Sequence, residues 1–213
     1  EDVESGVAVV DVDTGKLAAV GAGRDKTTER SFNYATQAMR QIGSTAKPLF
    51  DYAPGIEYLD WSTYQIFDDS PHSYTNGKEV NNSDRKFMGE ITMRTALAQS
   101  RNIPALKAFQ MVSKEVGNDK ILDFVTKLGI HAEVENGYVH EAHSLGAFTT
   151  KDGTSPLQMA AAYAAFANGG YYQEPLTVNK IVYRDNGDVT TYESEKVKVM
   201  SEATAFMITD MLK

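Results

Sequence analysis

An alanine-rich segment, residues 155–170, constrains the fold more than any other part of the sequence. It begins with Ser155-Pro156, a helix-capping serine followed by a proline that is tolerated in the first helical turn. It ends with Asn-Gly-Gly at residues 168–170, where the glycines stop a helix. Because most side chains between these signals are alanine, the helix is narrow on nearly every side. We therefore predict a helix that lies centrally and packs tightly against its neighbours.

Two other segments have the pattern of β-hairpins. In residues 6–21 two apolar runs flank the turn sequence Asp-Thr-Gly-Lys at residues 13–16. In residues 178–192 the turn sequence is Asp-Asn-Gly at residues 185–187. Apolar residues at helical spacing fill much of residues 92–128. The pattern predicts a chain in which local hairpins and helices are mixed.

The region between the first hairpin and these helices contains a shorter predicted helix. It begins near Ser44 and ends before Pro54, since a proline-glycine pair interrupts helical hydrogen bonding. Residues 55–88 are rich in Asp, Ser, Asn and Tyr, so we predict long surface loops, which often line a functional site. Asp68 and Asp69 within them are interpreted as a solvated turn.

Composition limits the chemistry that is open to this chain. Acidic residues number 29 against 21 Lys and Arg, for a net charge of -8, and no basic stripe is present, so we do not expect nucleic-acid binding. The absence of cysteine excludes disulfides, thiolate metal sites and cysteine nucleophiles. Hydrophobic residues make up 42% of the chain, enough for a substantial core. No stretch approaches the roughly 18 consecutive apolar residues of a membrane span, so we expect a soluble fragment.

Ser44 and Lys47 form a candidate nucleophile and base. If Ser44 opens a helix, Lys47 lies one turn further along on the same face. A serine hydroxyl is a weak nucleophile that needs an adjacent base. A lysine can be that base where burial or a neighbouring cation lowers its pKa. Ser-x-x-Lys is a common string, however, and by itself it is far more typical of a helix cap followed by a solvated lysine.

The second candidate is Ser100-Arg101-Asn102, on a short turn between two predicted helices. A serine and an asparagine two residues apart can point into the same cleft. There the serine can relay a proton, and the asparagine can hydrogen-bond a lysine and a substrate amide. Asn102 also suits a helix N-cap, and the two roles can coexist. Arg101 is interpreted as a structural ion-pair residue.

Ser-x-x-Lys followed by Ser-x-Asn is the order found in serine acyltransferases that handle penicillins. The flanking sequence resembles class A (bifunctional) penicillin-binding proteins of the Gram-positive type. The resemblance extends over residues 6–213 and is carried by residues 21–25, 32–48, 98–105 and 155–170. It implies an α+β fold of the penicillin-binding/β-lactamase-like transpeptidase type. In that fold an antiparallel sheet is flanked by helices. The first hairpin is expected to supply two of the strands, and the C-terminal part that is missing from this chain the remaining ones.

The resemblance also implies a role for each candidate residue. Ser44 is the expected nucleophile, which opens the D-Ala-D-Ala bond of a peptidoglycan stem peptide and becomes acylated, and its backbone N–H is expected to form half of an oxyanion hole. Lys47 takes its proton, Ser100 passes a proton to the leaving amine, and Asn102 positions Lys47 and the acyl side chain. A second stem-peptide amine then completes the crosslink, whereas a β-lactam leaves a stable ester. No cofactor and no metal is implied.

One element of the family pattern is missing from the sequence. The expected third motif, Lys-Thr-Gly or Lys-Ser-Gly, is not found, and Lys-Asp-Gly-Thr at residues 151–154 is interpreted as a loop because it precedes the alanine-rich helix. We expect the motif beyond Lys213, in a C-terminal remainder that is either a separate chain or absent. Residues 1–213 are thus expected to be the N-terminal portion of one transpeptidase domain, without the glycosyltransferase domain or the membrane anchor. The full-length protein is expected at the extracytoplasmic face of the cell membrane.

Two other functions remain open at this point. A β-lactamase shares the first two motifs but needs a base that activates water, for which Glu133 and Glu135 are candidates, although their flanking sequence does not resemble a β-lactamase. A non-catalytic β-lactam sensor domain would be acylated but would not process a stem-peptide ester. His-Glu-Ala-His at residues 140–143 is one residue short of a zinc signature and is interpreted as a loop.

Overall fold

The structure is a computed structural model that describes residues 3–23, 29, 31–132, 134–135, 137–148 and 153–213. Strands and helices alternate along these residues, as the sequence pattern predicts. The strands are β1 (Gly6–Val10), β2 (Leu17–Ala22), β3 (Ile66–Asp69), β4 (His72–Ser73), β5 (Glu79–Val80), β6 (Gly89–Thr92), β7 (Val134–Glu135), β8 (Tyr138–Val139), β9 (Tyr171–Gln173), β10 (Lys180–Val182), β11 (Val189–Thr191) and β12 (Lys196–Lys198). The α-helices are α1 (Ala53–Leu59), α2 (Met93–Ala98), α3 (Asn102–Val116), α4 (Asn118–Lys127), α5 (Pro156–Ala167) and α6 (Glu202–Met211). Two 3-10 helices (Gly43–Ala46 and Glu141–Leu145) and a π-helix (Pro48–Tyr52) complete the regular elements.

Within the described residues the strands associate as antiparallel pairs. Both predicted hairpins are confirmed, as β1 with β2 and β10 with β11. The other pairs are β3 with β6, β4 with β5, β7 with β8 and β9 with β12. The described residues thus contain the two strands that the first hairpin is expected to contribute to the sheet, together with five other two-stranded units. Strands β3 to β12 have only two to four residues each, which leaves few backbone groups for a second neighbour.

The alanine-rich segment forms α5, as predicted. The hydroxyl of Ser155 accepts from the Gln158 N–H at 3.3 Å and the Gln158 side chain accepts from the Ser155 N–H at 2.9 Å, so both halves of a capping box are present. The helix contacts β1, β9 and α6, and its buried positions include Ala162 and Phe166. Its small side chains allow these neighbours to approach closely on that side.

The helix that follows Ser44 is longer than predicted. Its middle turn is the π-helix Pro48–Tyr52, and the missing N–H of Pro54 falls at the start of α1, where no intrahelical acceptor is needed. Gly55 does not end the helix either. Its role is packing, because an added Cβ would lie 2.1 Å from a ring carbon of Trp61. The helical path therefore continues to Leu59.

One apolar core anchors the segment that carries Lys47. Leu49 and Phe50 of the π-helix are fully buried, and they share this core with Phe109 of α3 and Phe124 of α4. Burial of each large apolar side chain contributes roughly 1.5–3 kcal/mol. These contributions keep the base candidate in place relative to α3.

The region predicted as long loops contains three short strands. Ile66–Asp69 forms β3 and pairs with β6, and β4 pairs with β5. The interpretation of Asp69 as part of a solvated turn is wrong, since the residue is completely buried. Burial is tolerated because the guanidinium of Arg101 and the amide of Asn82 both donate to its carboxylate.

Candidate active site

Ser44 and Lys47 lie side by side, in the geometry that their spacing predicts. Ser44 is exposed in the 3-10 helix Gly43–Ala46, whereas the side chain of Lys47 is fully buried. Lys47 Nζ donates to Ser44 Oγ at 3.1 Å. A buried amine therefore contacts an exposed hydroxyl, which is open to solvent on one side and touches a possible base on the other.

Ser100 and Asn102 surround the same amine. Lys47 Nζ contacts the Ser100 carbonyl oxygen at 2.6 Å, Ser100 Oγ at 3.0 Å and Asn102 Oδ1 at 2.8 Å. The structure thus brings together all four residues that the sequence singled out. An ammonium has three protons for these oxygens, whereas a neutral amine has two protons and a lone pair that can accept from a serine hydroxyl.

Burial makes Lys47 able to lose its proton near neutral pH. Desolvation of the amine lowers its pKa from the ordinary 10.5 to about 8; the charge of Asp51 acts in the opposite direction and that of Arg101 in the same direction. A base with a pKa of about 8 is about one-tenth neutral at pH 7. Lys47 can therefore accept the Ser44 proton without an additional base.

Asp51, four residues after Lys47, is a buried carboxyl in the same helical segment. Among the described residues neither of its oxygens has a hydrogen-bond partner. Burial raises its pKa well above the usual value, although the Lys47 charge acts against this. This raised pKa weakens the support that Asp51 gives to the charged form of Lys47.

The backbone around Ser44 is held from two sides. The Gly43 N–H donates to the Gly146 carbonyl at 3.2 Å, and the Tyr163 hydroxyl donates to the Thr45 carbonyl at 2.8 Å. Gly146 is left-handed (φ 70°), and an added Cβ would lie 2.0 Å from the Gly43 carbonyl oxygen. The Ser44 N–H lies in the first turn, where backbone N–H groups have no intrahelical acceptor.

Behind Ser100 and Asn102 lies a polar cluster, the Arg101 cluster, composed of the buried residues Arg101, Asp69 and Asn82 and the exposed residue Asp84. Arg101 Nε donates to Asp69 at 2.8 Å and Nη1 donates to Asp84 at 2.9 Å. Asn82 Nδ2 donates to Asp69 at 2.7 Å. The interpretation of Arg101 as a structural ion-pair residue is confirmed.

Sequence reasoning missed several of these residues. Asn82, Asp51 and Gly146 were not singled out, because single polar or glycine residues carry no local pattern that marks them. Their importance comes from contacts with partners that are distant in sequence or, for Asp51, from burial. Only Asp51 offered a signal, since it repeats the helical spacing of Lys47 four residues later.

The other candidates that the structure describes make different contacts, and the rest lie outside the described residues. Glu133 and residues 151–152 lie outside the described residues, and Glu135 belongs to β7. Between residues 140 and 143, Glu141 accepts from Thr75 and from the Gln110 side chain, and His143 is buried against aromatic rings. No group of three or more potential metal ligands of the His, Cys, Asp or Glu type occurs among the described residues.

Comparison with known proteins agrees with this geometry. The family model for the penicillin binding protein transpeptidase domain matches residues 5–213, and the chain belongs to this family. It is 50% identical over 213 residues to penicillin-binding protein 1A/1B of Bacillus subtilis, covering 100% of this chain and 22% of that protein. It is 39% identical over 221 residues to penicillin-binding protein 1A of Streptococcus oralis, covering 100% of this chain and 33% of that protein.

Solved structures show the same fold. The crystal structure of penicillin-binding protein 1A from Haemophilus influenzae matches with a TM-score of 0.78 at 27% identity, over 98% of this chain and 34% of that one. PonA1 from Mycobacterium tuberculosis matches with a TM-score of 0.81 at 22% identity, over 98% of this chain and 55% of that one, a likeness of fold alone. The transpeptidase fold with antiparallel strands and helices is thereby confirmed.

The chain spans about a fifth to a third of the length of the first two relatives. Helices long and apolar enough to cross a membrane do not occur in the part of the chain that is described.

Proposed function

We propose that this chain carries the nucleophile and the base of a serine D,D-transpeptidase, which crosslinks peptidoglycan stem peptides and is acylated by β-lactams on Ser44. The observation that carries the proposal is the buried Lys47 amine, whose Nζ lies 3.1 Å from Ser44 Oγ and 3.0 Å from Ser100 Oγ. An exposed serine beside a lysine that is partly neutral is what serine acyl transfer requires. Membership of the penicillin-binding transpeptidase family supports the choice of substrate.

In the first step, Ser44 attacks the carbonyl carbon of the D-Ala-D-Ala bond. Neutral Lys47 accepts the hydroxyl proton as Oγ forms the new bond, and the carbonyl oxygen becomes an oxyanion. The Ser44 N–H supplies one donor to this oxygen. In other acyl-transfer enzymes, the loss of one such donor raises the barrier by roughly 3 kcal/mol.

In the second step, the leaving D-Ala needs a proton on its nitrogen. Ser100 Oγ contacts Lys47 Nζ, so a proton can pass from the ammonium through this hydroxyl to the amine as the carbon–nitrogen bond breaks. Asn102 keeps the ammonium in place through Oδ1 at 2.8 Å, and its own amide is held by the Asn81 carbonyl at 2.8 Å. The product is an ester on Ser44.

The fate of this ester depends on the acceptor. The amine of a second stem peptide attacks the ester carbonyl, forms the crosslink and returns the proton to Ser44. In a β-lactam the attacked amide lies in a ring, so the leaving nitrogen stays attached to the acyl group and blocks the amine. The penicilloyl ester then persists.

The proposal includes a third catalytic element that is not in this sequence, which lacks Lys-Thr-Gly and Lys-Ser-Gly. Residues 1–213 would form the N-terminal portion of one transpeptidase domain. The C-terminal remainder would bind the substrate carboxylate and supply the other oxyanion donor. The full-length protein would act at the extracytoplasmic face of the cell membrane.

The test is covalent labelling of the full-length protein by a fluorescent penicillin, read by intact mass and peptide mapping. We expect one adduct on Ser44, lost in Ser44→Ala and retained in Ser83→Ala, a change at an exposed serine. Labelling that survives Ser44→Ala would refute the assignment. Rapid hydrolysis of the adduct would indicate a β-lactamase instead, and a protein that is acylated but does not turn over a stem-peptide thiolester would be a sensor.

A further inference from the structure

The turn that carries Ser100 and Asn102 does not hold its conformation by local interactions alone. Ser100 is left-handed (φ 50°), which is uncommon for a residue other than glycine. Helix α3 begins at Asn102, and its N-cap residue, Arg101, makes no capping hydrogen bond with its side chain. The first N–H groups of a helix need acceptors from elsewhere when they are buried. Another part of the chain therefore has to hold this turn.

Asn82 supplies these acceptors from a distant loop. Its Oδ1 accepts from the N–H of Asn102 at 2.8 Å and from the N–H of Ile103 at 3.3 Å. Asn82 is 3% exposed, so water does not compete appreciably for these bonds. The side chain thus acts as the cap that α3 lacks, although it lies about 20 residues earlier in the sequence.

The Arg101 cluster fixes the orientation of the Asn82 amide. Its Nδ2 donates to the Asp69 carboxylate at 2.7 Å and to the Lys86 carbonyl at 2.9 Å. Both of these partners only accept, so the oxygen of the amide has to face the N–H groups of α3. Asp69 is itself held by Arg101 Nε at 2.8 Å and by the Met88 N–H at 3.1 Å. The Asn82 amide is therefore fixed in one orientation, with its oxygen towards the N-terminus of α3.

We propose, on the basis of the proposed function, that Asn82 is a positioning residue for acyl transfer: through the N-terminus of α3 it holds Asn102 and Ser100 in contact with Lys47 Nζ. Asn82 touches no reacting atom. It acts on the backbone from which Asn102 Oδ1 and Ser100 Oγ reach the amine at 2.8 Å and 3.0 Å. A shift of about 1 Å at these atoms is enough to slow a reaction roughly 100-fold.

The loss of Asn82 also alters the environment of the amine. Lys47 has a lowered pKa chiefly because it is buried, with opposing charge effects from Asp51 and Arg101. If Ser100 and Asn102 move away, water reaches Nζ and the pKa rises towards its ordinary value. The pH dependence of the acylation rate therefore tests the positioning role, because a loss of overall stability alone would not shift the pH profile measured per folded molecule.

The experiment compares Asn82→Ala with Asn118→Ala in the full-length protein. Asn118 is a matched control, because it is also a buried asparagine at the start of a helix and bonds a distant backbone, the N–H and carbonyl of Val139, at 2.6 Å and 3.0 Å. It belongs to α4, and its two hydrogen bonds go to Val139 and not to the residues around Lys47 Nζ. The rate of penicillin acylation is measured per folded molecule from pH 6 to pH 10, a range chosen around about 8.

For Asn82→Ala we expect acylation to be about 10- to 100-fold slower, with the rising limb of the pH profile displaced to higher pH. For Asn118→Ala we expect the same acylation rate as in the unaltered protein, with the rising limb of the pH profile at the same pH. If Asn82→Ala does not fold, Asn82→Ser, which keeps a hydroxyl, should show the same displacement to a smaller degree. Profiles that coincide with that of Asn118→Ala would overturn the proposal, whereas an unaltered protein that is not acylated would instead overturn the proposed function.

Discussion

Lys47 and Arg101 are two buried cations with different surroundings. Arg101 is paired with the carboxylates of Asp69 and Asp84 at 2.8 Å and 2.9 Å. Lys47 is held by neutral oxygens of Ser44, Ser100 and Asn102. The residues are close enough for the Arg101 charge to act on Lys47. The same region of the protein therefore contains one cation that is compensated and one that is not.

The difference decides which cation can exchange a proton. Desolvation opposes the charge of Arg101. The hydrogen bonds that Arg101 donates to Asp84 and Asp69, together with the charges of these carboxylates, outweigh this effect and raise the pKa of Arg101. For Lys47 desolvation prevails, and the pKa falls to about 8. Carboxylates make a buried cation a permanent structural charge, whereas neutral acceptors leave it free to act as a base.

The largest expected effect comes from making the Lys47 charge permanent. Lys47→Arg keeps the charge but places a guanidinium, which does not deprotonate, beside Ser44. We expect acylation by penicillin to fall by about 10²- to 10⁴-fold, the range that general base catalysis supplies. Stopped-flow or quenched labelling of the full-length protein measures the rate. A Lys47→Arg protein that is acylated at the normal rate would show that the proton goes elsewhere.

The next prediction concerns the loss of a carboxylate that compensates the charge of Arg101. Asp69→Ala leaves a buried guanidinium with only part of its charge partner, and we expect a loss of roughly 3–5 kcal/mol in the free energy of unfolding. Asp210→Ala is the control, because the Asp210–Arg94 pair has side chains about 40% exposed and such pairs contribute about 0–1 kcal/mol. Denaturant unfolding of both variants measures the difference. Equal losses would contradict the distinction between the two pairs.

A third prediction concerns the backbone on the Lys47 side. Gly146→Ala would press a Cβ against the Gly43 carbonyl and displace Ser44, and we expect acylation to fall about 100-fold. Gly187→Ala is the matched control, since Gly187 is also left-handed (φ 75°) but an added Cβ would meet no atom within 4 Å. Acylation rates of the two variants are compared at equal concentrations of folded protein. The backbone strain is common to both, so a difference in rate reports the contact of the added Cβ with the Gly43 carbonyl. Similar rates for the two variants would argue against a role for Gly146.

The smallest expected effect belongs to Asp51. Burial raises the pKa of the Asp51 carboxyl well above the 3.8 of the unfolded chain, so the stability that it contributes is full at low pH and declines as the pH rises. Asp51→Asn stays neutral in both states. We therefore expect its free energy of unfolding at pH 8 to exceed that of the unaltered protein by roughly 1–3 kcal/mol, with a smaller difference at pH 4, as measured by denaturant unfolding. A difference that does not change with pH would mean that Asp51 is ionised in the folded protein.

The elements that the sequence predicted well depend on neighbours in the chain. The hairpin β1–β2 and the capped helix α5 follow from turn and capping residues within each segment, and the contact of Ser44 with Lys47 follows from helical spacing. Ser100 and Asn102 could be linked to that pair only through the order of motifs, since their contact with Lys47 crosses more than 50 residues.

The misjudged elements depend on partners that are distant in sequence. By its sequence neighbours Asp69 resembles a solvated residue, but in the folded protein Arg101, 32 residues later, pairs with it. By its sequence neighbours Gly55 resembles the end of a helix, but in the folded protein the Trp61 ring packs against it. In each case tertiary packing reverses what the residue would do alone, so no local pattern could have indicated the outcome.

The central claim is that burial turns Lys47 into the base for Ser44. The most direct test is the pH dependence of penicillin acylation on Ser44 in the full-length protein. The account predicts a rate that rises with pH through a midpoint near 8, the pKa of the buried amine. A rate that does not change with pH, or a midpoint near the 10.5 of an ordinary lysine, would contradict it.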